Sequence, residues 1–197
     1  MTREENLADS RVTLHIVSSL DGFIARKNNS VSWLDDDGTI YEAGTKVSAE
    51  EAAEFIRSID CYVMGSHTYE HALELGWPYG DTPVAVLTGR KLQAAKRTVE
   101  FCSGEIEKIV YSRLLPRYRN IWLVGGAHLC HCFLEAGLVD EIRLSIAPVL
   151  LGDGLRLFGR MEEQKWRLKN VVPYRNGFVE LTYAAKVSRE HRRKVQN

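Results

Sequence analysis

The sequence has no excess of charge of either sign and no long apolar run. Its 26 basic residues balance 26 acidic ones, so no overall field attracts nucleic acid or a charged membrane surface. No apolar stretch approaches the roughly 20 residues that a membrane-spanning helix needs. The first ten residues are polar and lack the apolar core of a signal peptide. We therefore expect a cytoplasmic protein that acts on a small molecule, with no nucleic-acid or membrane partner.

Cysteine is sparse, and its placement argues against disulfides and metals. The four cysteines are scattered and form no disulfide framework. Cys130 and Cys132 flank His131, but two positions along a helix lie about 200° apart around its axis. These two thiols cannot bind one metal ion together, and we expect no metal site.

The chain also lacks a proline- or glycine-rich linker and an internal repeat. A length of 197 residues suits one sizeable domain. We expect this domain to cover residues 11–186, with flexible termini at residues 1–10 and 187–197. The basic stretch at residues 189–194 is interpreted as a solvated tail, and nucleic-acid binding through it is the less favoured alternative.

Strand-like and helix-like segments alternate along most of the chain. Short apolar stretches predict strands at residues 12–18, 61–64, 84–87, 121–124, 141–149, 166–172 and 177–186. Apolar residues at helical spacing predict helices at residues 48–58, 68–75, 104–115 and 127–136. Ser48 and Glu51 have capping-box spacing, and Asn176-Gly177 predicts a tight turn. This order predicts an α/β fold: a mixed, mostly parallel sheet with helices on both faces and an antiparallel C-terminal hairpin.

A pair of glycines, Gly125 and Gly126, follows a strand that we expect to be buried and precedes a helix. Without a Cβ, the backbone can approach a phosphate closely, and the first N–H groups of the helix point at it. The alternative is that the pair merely turns the chain, because short glycine motifs are weak evidence.

Three other strand ends carry groups that suit a polar ligand. They are the Asp-Gly turn at residues 21–22, the Gly-Ser-His-Thr stretch at residues 65–68 and the Thr-Gly-Arg stretch at residues 88–90. One long ligand that crosses several strand ends explains all four turns, and a dinucleotide has the right size and phosphates. The usual dinucleotide fingerprint, Gly-x-Gly-x-x-Gly, is absent. The residues alone therefore predict an anion-binding mixed α/β protein with a nucleotide ligand.

Four motifs, in their order along the chain, resemble those of the dihydrofolate-reductase-like superfamily. They are Ser-Leu-Asp-Gly-Phe-Ile-Ala at 19–25, Val-Met-Gly-Ser-His-Thr-Tyr-Glu at 63–70, Val-Gly-Gly-Ala at 124–127 and Ala-Pro-Val-Leu-Leu-Gly-Asp-Gly at 147–154. The chain is more closely similar to stand-alone proteins related to the C-terminal reductase domain of riboflavin biosynthesis. The resemblance covers residues 11–186.

This resemblance implies a nicotinamide cofactor, usually NADPH, with NADH as the alternative, stretched across the edge of the sheet. The nicotinamide would be flanked by Val17, Ile24 and Ala25. The adenosine-side phosphates would be held by Gly65, Ser66, His67, Thr68, Thr88 and Arg90. The pyrophosphate would be met by Val124, Gly125, Gly126, Ala127, His128 and Leu129. The substrate pocket would be rimmed by Leu151, Gly152, Asp153 and Gly154.

Two positions depart from the family's motifs. Many members have arginine after the glycine of the second motif, where it binds the phosphate that distinguishes NADPH from NADH, and here that residue is Ser66. Arg90 is the alternative cation for this phosphate. Riboflavin-pathway reductases place an acid before the paired glycines, and here that residue is Val124.

The resemblance implies an oxidoreductase that transfers hydride to a small pyrimidine-, pteridine- or ribosylamine-like substrate. Its model reaction is that of 5-amino-6-(5-phosphoribosylamino)uracil reductase in riboflavin biosynthesis. The candidate catalytic residues are Asp21, Trp33 and Glu51, with Asp35 as a further acid. Two alternatives stay open: a dihydrofolate reductase proper, and a non-catalytic nucleotide-binding or ligand-sensing protein on the same scaffold. The resemblance also suggests a homodimer.

Overall fold

The strands form one large sheet and one small one. The computed structural model describes residues 10–34, 41–46 and 48–186. In these ranges the strands are β1 (Arg11–Ser19), β2 (Phe23–Ala25), β3 (Cys61–Gly65), β4 (Val84–Leu87), β5 (Val99–Cys102), β6 (Asn120–Gly125), β7 (Glu141–Ala147), β8 (Leu155–Arg156), β9 (Trp166–Pro173) and β10 (Val179–Ala185). The large sheet has the order β5-β4-β3-β6-β1-β7-β10-β9, and β2 pairs with β8 separately.

Helices cover both faces of the large sheet. They are α1 (Ala49–Arg57), α2 (Ser66–Glu74), α3 (Ile106–Ile109) and α4 (Ala127–Glu135), with a 3-10 turn at Ser32–Leu34. On one face, Phe55 of α1 and Tyr69 of α2 pack against strand residues such as Tyr62. On the other face, Phe133 of α4 packs with fully buried residues such as Leu14. The predicted three-layer α/β arrangement is confirmed.

In the large sheet, six neighbouring strands run parallel: β5, β4, β3, β6, β1 and β7. The last two strands, β10 and β9, each run antiparallel to the strand before them in this order. β1 pairs in parallel with both β6 and β7, and β3 pairs in parallel with both β4 and β6. β10 pairs antiparallel with β7 and with β9, as the predicted hairpin requires. Gly177, in the turn of that hairpin, has φ +79°, a conformation that glycine adopts without strain.

Several element boundaries differ from the predictions. The helix predicted at residues 104–115 is a short α3 followed by a wider π-helical turn at Val110–Leu114. α2 begins at Ser66, two residues before its predicted start. The strands β2, β5 and β8 were not predicted, because each is only two to four residues long and shows no clear apolar alternation.

The predicted termini fall almost entirely outside the described part of the chain. Ser10 is described and buried, and its hydroxyl donates to the carbonyl of Leu115 at 2.9 Å. Residues 1–9 and 187–197, which carry the rest of those expectations, lie outside the described ranges. Within those ranges, none of the helices combines the length and apolar character that crossing a bilayer demands.

Candidate functional site

The C-terminal ends of the parallel strands bring the sequence motifs to one edge of the sheet. β1 ends at Ser19, β3 at Gly65, β4 at Leu87 and β6 at Gly125. Because parallel neighbours run in the same direction, these ends share an edge, and α2 and α4 begin there. In open α/β sheets, ligands bind in the crevice at this edge.

Two helices that begin at this edge have no side-chain cap on their first backbone N–H groups. The N-cap residues are Gly65 for α2 and Gly126 for α4, and neither has a side chain that could accept a hydrogen bond. Neither helix has an acidic residue in its first turn. By contrast, Ser48 and Glu51 form a capping box on α1, whose first turn is acidic. The N-termini of α2 and α4 are therefore open to an anion, whereas that of α1 is satisfied by its own side chains.

The second and third motifs border one another. Met64 on β3 is in register with Gly125 on β6. A Cβ built on Gly126 would lie 3.6 Å from Oγ1 of Thr68, so this hydroxyl lies beside the glycine pair. Gly125 has φ +124°, which side-chain-bearing residues rarely adopt, and the peptide bond between the two glycines is cis. The structure thus places Gly65, Thr68 and the glycine pair next to one another in one site.

Arg90 lies over α2 at this edge, but its guanidinium is already paired. It donates two hydrogen bonds to the carboxylate of Glu70, at 2.7 and 2.8 Å. Hydrogen bonds from Arg90 lower the pKa of Glu70 from its ordinary value. Nδ1 of the exposed His67 lies 3.6 Å from the same carboxylate, and the backbone N–H of Arg90 donates to Oγ1 of Thr88. Glu70 was not singled out from the sequence, because no local pattern distinguishes it from the other acids of the chain.

The two departures from the family's motifs leave Arg90 as the cation beside α2. Ser66 is buried, with 9% of its surface exposed. Val124 packs at the border of an apolar cluster that includes Tyr62 and Met64. Neither position presents a charged group to the edge of the sheet.

The remaining predicted cofactor contacts lie near the end of β1, on β2 and in the first turn of α4. Val17 is a half-buried residue near the end of β1, and Ile24 and Ala25 belong to β2. The other positions make up the first turn of α4: Ala127, His128 and Leu129. Their contacts with a cofactor stay a prediction.

Asp21 joins the turn after β1 to the predicted pocket rim. Its carboxylate accepts a hydrogen bond from the Ser19 hydroxyl at 2.5 Å and others from the N–H groups of Leu151 and Gly152, at 3.1 and 2.7 Å. The Ser19 hydrogen bond, opposed by burial and helped by these two N–H groups, lowers the pKa of Asp21 to about 2. A carboxylate held in this ionised state fits a positioning role better than the acid role suggested by the sequence.

The rest of the rim packs against the β2 region. Asp153 pairs with Lys27, and its carboxylate also accepts a hydrogen bond from the N–H of Gly154. Gly154 lies so close to the carbonyl of Ala25 that a side chain there would clash. Its φ of +155° likewise favours glycine.

The other candidate catalytic residues are placed differently from one another. Trp33 is half buried in the 3-10 turn, and its buried Nε1 has no hydrogen-bond partner among the described residues. Glu51 is exposed, and its carboxylate accepts hydrogen bonds from the hydroxyl and N–H of Ser48 in the capping box. That role explains Glu51 without invoking catalysis. Asp35 lies outside the described residues.

A buried polar cluster that the sequence analysis missed lies on the sheet face beneath α1. Glu180 on β10 is 5% exposed, accepts hydrogen bonds from Arg143 at 2.6 and 3.2 Å, and lies 3.4 Å from His15 on β1. Burial acts to raise its pKa, but His15 and Arg143 outweigh burial and lower the pKa of Glu180 to about 2. A histidine and two charged residues in the interior of predicted strands were the available signal.

Metal-binding groups do not gather in the described ranges. No group of three or more His, Cys, Asp or Glu side chains there could hold a metal ion. Burial raises the pKa of the Cys130 thiol to about 12, and Sγ of Cys132 lies 3.7 Å from Nε2 of His128. Cys130 is therefore a protonated core residue.

The sheet order, the helices on both faces and the glycine-capped edge define a dihydrofolate-reductase-like α/β protein. Residues 10–179 match the RibD C-terminal domain, and the chain belongs to that family. The chain is 30% identical to the uncharacterized protein YwjB of Bacillus subtilis (strain 168), over 84% of this chain and 93% of that protein. It is 29% identical to the uncharacterized protein YyaP of the same organism, over 90% of this chain and 96% of that protein.

Solved structures share the fold. A putative riboflavin biosynthesis protein from Shewanella sp. PV-4 superimposes with a TM-score of 0.76 and 24% identity, over 90% of this chain and 99% of that chain. Dihydrofolate reductase from Enterococcus faecalis, complexed with NADP(H) and RAB-propyl, superimposes with a TM-score of 0.62 and 15% identity, over 90% of this chain and 97% of that chain.

Proposed function

We propose that this protein is a nicotinamide-dependent reductase that uses NADPH or NADH to reduce a small pyrimidine-, pteridine- or ribosylamine-like substrate. The observation that carries this proposal is the pair of glycine-capped helix N-termini, α2 and α4, at the edge where the parallel strands end. Uncapped N–H groups and the helix dipoles suit the phosphates of a dinucleotide. Membership of the RibD C-terminal domain family supports the same reaction class.

In this proposal, different residues along this edge would bind different parts of the dinucleotide. Gly126 and the first N–H groups of α4 would hold the pyrophosphate, while Thr68 and Arg90 would meet the adenosine-side phosphates. A reduced nicotinamide, when bound, supplies the hydride. Val17 and Ile24 would exclude water beside the ring, and the rim at residues 151–154, tied down by Asp21, would orient the substrate.

Thermal unfolding with each nucleotide tests the cofactor assignment. A ligand at 100 times its Kd stabilises the native state by about 2.7 kcal/mol, which raises the melting temperature of a domain this size by about 5–10 °C. If neither NADPH nor NADH raises the melting temperature, the cofactor assignment is wrong.

The second candidate function is nucleotide binding without turnover. It is favoured by the state of the acids: Asp21 is held by hydrogen bonds, Glu51 serves as a cap, and Val124 is apolar. Oxidation of NADPH in the presence of dihydrofolate or a ribosylaminouracil phosphate separates the candidates. Oxidation that depends on either substrate supports the reductase, and nucleotide binding without such oxidation supports the sensor.

A further inference from the structure

His15, Arg143 and Glu180 meet beneath α1, on the sheet face that also carries Val17. His15 and Arg143 are in register on neighbouring strands, and both contact Glu180 on the next strand. Phe55 of α1 covers them: its ring lies 5.2 Å from that of His15 and 4.5 Å from the Arg143 guanidinium. The proposed function assigns no role to these three side chains.

Arg143 and His15 both contact the Glu180 carboxylate, Arg143 at 2.6 Å and His15 at 3.4 Å. The His15 ring is held in place by Trp122, which stacks on it at 4.8 Å and donates from Nε1 to the His15 carbonyl at 2.9 Å. Nδ1 of His15 is buried and has no hydrogen-bond partner among the described residues. This nitrogen therefore keeps a hydrogen-bonding capacity that a bound ligand could meet.

His15 lies where a substrate beside the nicotinamide would be. His15 and Val17 are two residues apart on one face of β1, a separation of about 7 Å. Of the His15–Glu180 pair, His15 keeps 18% of its side chain exposed and Glu180 only 6%. A ligand near Val17 would therefore meet His15, with Glu180 behind it.

We propose that His15 is the catalytic acid of this site and donates a proton to the substrate atom next to the carbon that is reduced. This inference rests on the proposed function. The carbon of a C=N or C=O bond gains a hydride from the reduced nicotinamide, which becomes oxidised. The π electrons move to the nitrogen or oxygen, which takes a proton from the His15 imidazolium and leaves a neutral imidazole. Glu180 is a positioning residue that holds the ring through its contact with Nε2 of His15.

The charged and titratable groups near His15 come from β7, β10 and the residue after β9. Arg143 on β7 stays charged, and Glu180 on β10 stays ionised. Tyr174 has a pKa raised by burial first and then by Glu180, with a further increase from Glu51 on α1. From β6 and α1, the nearest rings are the uncharged Trp122 and Phe55. Histidine is the residue type that changes charge between about pH 5 and 8.

The test compares His15→Phe, which keeps an aromatic ring on Trp122, with His131→Phe. His131 is a matched control, because it also pairs with a glutamate (Glu135, 3.1 Å) and also has a buried Nδ1 without a partner among the described residues, but it lies on α4 at the opposite face. Three measurements are made: the Kd of NADPH, kcat and its pH profile with dihydrofolate or a ribosylaminouracil phosphate, and the NMR signals of the histidine rings as either of these two probes is added.

We expect one of the two probes to shift the His15 ring signals and leave those of His131 unchanged. His15→Phe should keep the NADPH Kd within about twofold, lower kcat about 100-fold or more, and flatten the pH profile of kcat. His131→Phe should leave kcat unchanged. If neither probe moves the His15 signals, or if His15→Phe keeps kcat within threefold, the assignment is overturned. If the wild-type protein binds neither NADPH nor NADH, the proposed function is rejected instead. The NMR titration still decides whether His15 contacts a ligand.

Discussion

Arg90 reaches the edge of the sheet with its guanidinium already paired to Glu70. A ribose 2′-phosphate would have to displace this carboxylate or approach its negative charge. A ribose 2′-hydroxyl, by contrast, could donate a hydrogen bond to Glu70. We therefore expect wild-type protein to discriminate weakly between NADPH and NADH.

Replacing Glu70 should change that preference. Glu70→Gln frees the guanidinium of Arg90 and removes a negative charge, so the ratio of the NADH Kd to the NADPH Kd should rise about tenfold, as expected for one charge-assisted hydrogen bond. Calorimetric titration with both nucleotides measures this ratio. Glu74→Gln is the matched control, since Glu74 pairs with His71 on the same helix. An unchanged ratio in Glu70→Gln would show that this pair does not select the cofactor.

Glu180 should make the protein sensitive to acid. Its pKa is about 2 in the folded chain against an ordinary 4.5, so its stabilising contribution is complete above pH 4.5 and is lost as the pH falls from 4.5 towards 2. That shift corresponds to about 3 kcal/mol. Urea unfolding of Glu180→Gln should show lower stability at pH 7 and a shallower loss on acidification. Glu163→Gln, which alters an exposed pair, should behave like wild type, and equal acid sensitivity in Glu180→Gln would contradict this account.

Individual functional residues were harder to predict from the sequence than the helices and strands that carry them. Gly65 and Gly126 could be recognised, because a glycine between a strand and a helix has few structural roles. Glu70 and Glu180 could not be selected among the acids, since their partners, Arg90 and Arg143, are 20 and 37 positions away in the chain. The position of Asp21 was recognised, but its hydrogen bonds to a loop 130 residues later were not predictable from spacing.

Among the elements, the turn after β1 and the loop after β7 behave as one unit. The N–H of Leu20 donates to the carbonyl of Val149 at 2.9 Å, and β2 pairs with β8. Asp21 completes this unit by accepting the N–H groups of Leu151 and Gly152. We expect the unit to position the pocket rim.

Removing the charge of Asp21 should loosen the rim. Asp21→Asn keeps the size of the side chain but loses one acceptor oxygen and the negative charge. Hydrogen exchange at Leu151 and Gly152 should become faster, while exchange in the sheet stays as in wild type. Asp153→Asn is the control, because Asp153 is exposed and does not accept those N–H groups. Unchanged exchange at both amides would mean that Asp21 does not hold the loop.

Elements with a clear local pattern were predictable, and those that depend on pairing or packing were not. The α1 capping box and the strands β1, β3, β4 and β6 follow from local pattern, and each is found within two residues of its predicted bounds. β5, by contrast, is defined by pairing with β4 rather than by its own sequence. The change from α3 to a π-helical turn depends on packing of Val110 and Leu114 into the core, which local spacing does not reveal.

At the scale of the whole molecule, the sheet ends in an exposed strand that carries both apolar and charged side chains. β9 is the last strand in the sheet order, and Leu168 and Val171 on it are 51% and 47% exposed. Exposed edge strands readily pair with another chain. This surface is the one through which we expect the homodimer to form.

Light scattering should therefore give a mass of twice the 22.4 kDa of one chain. Leu168→Lys places a charge on the edge strand and should shift the mass towards that of a monomer, with nucleotide binding retained. Lys165→Glu, a charge change just outside β9, is the control. A monomeric wild type at micromolar concentration would contradict this expectation.

Binding of a dinucleotide at the N-terminus of α4 is the central claim, and calorimetric titration of NADPH into Gly126→Ala tests it directly. Gly126 has φ −74°, which alanine adopts, and a Cβ there makes only an ordinary contact with Thr68, so the variant should fold. The added methyl group would occupy the space where the pyrophosphate approaches. We predict at least a tenfold weaker Kd, about 1.4 kcal/mol, with wild-type binding in the control Gly159→Ala. Unchanged NADPH affinity in Gly126→Ala would contradict the account.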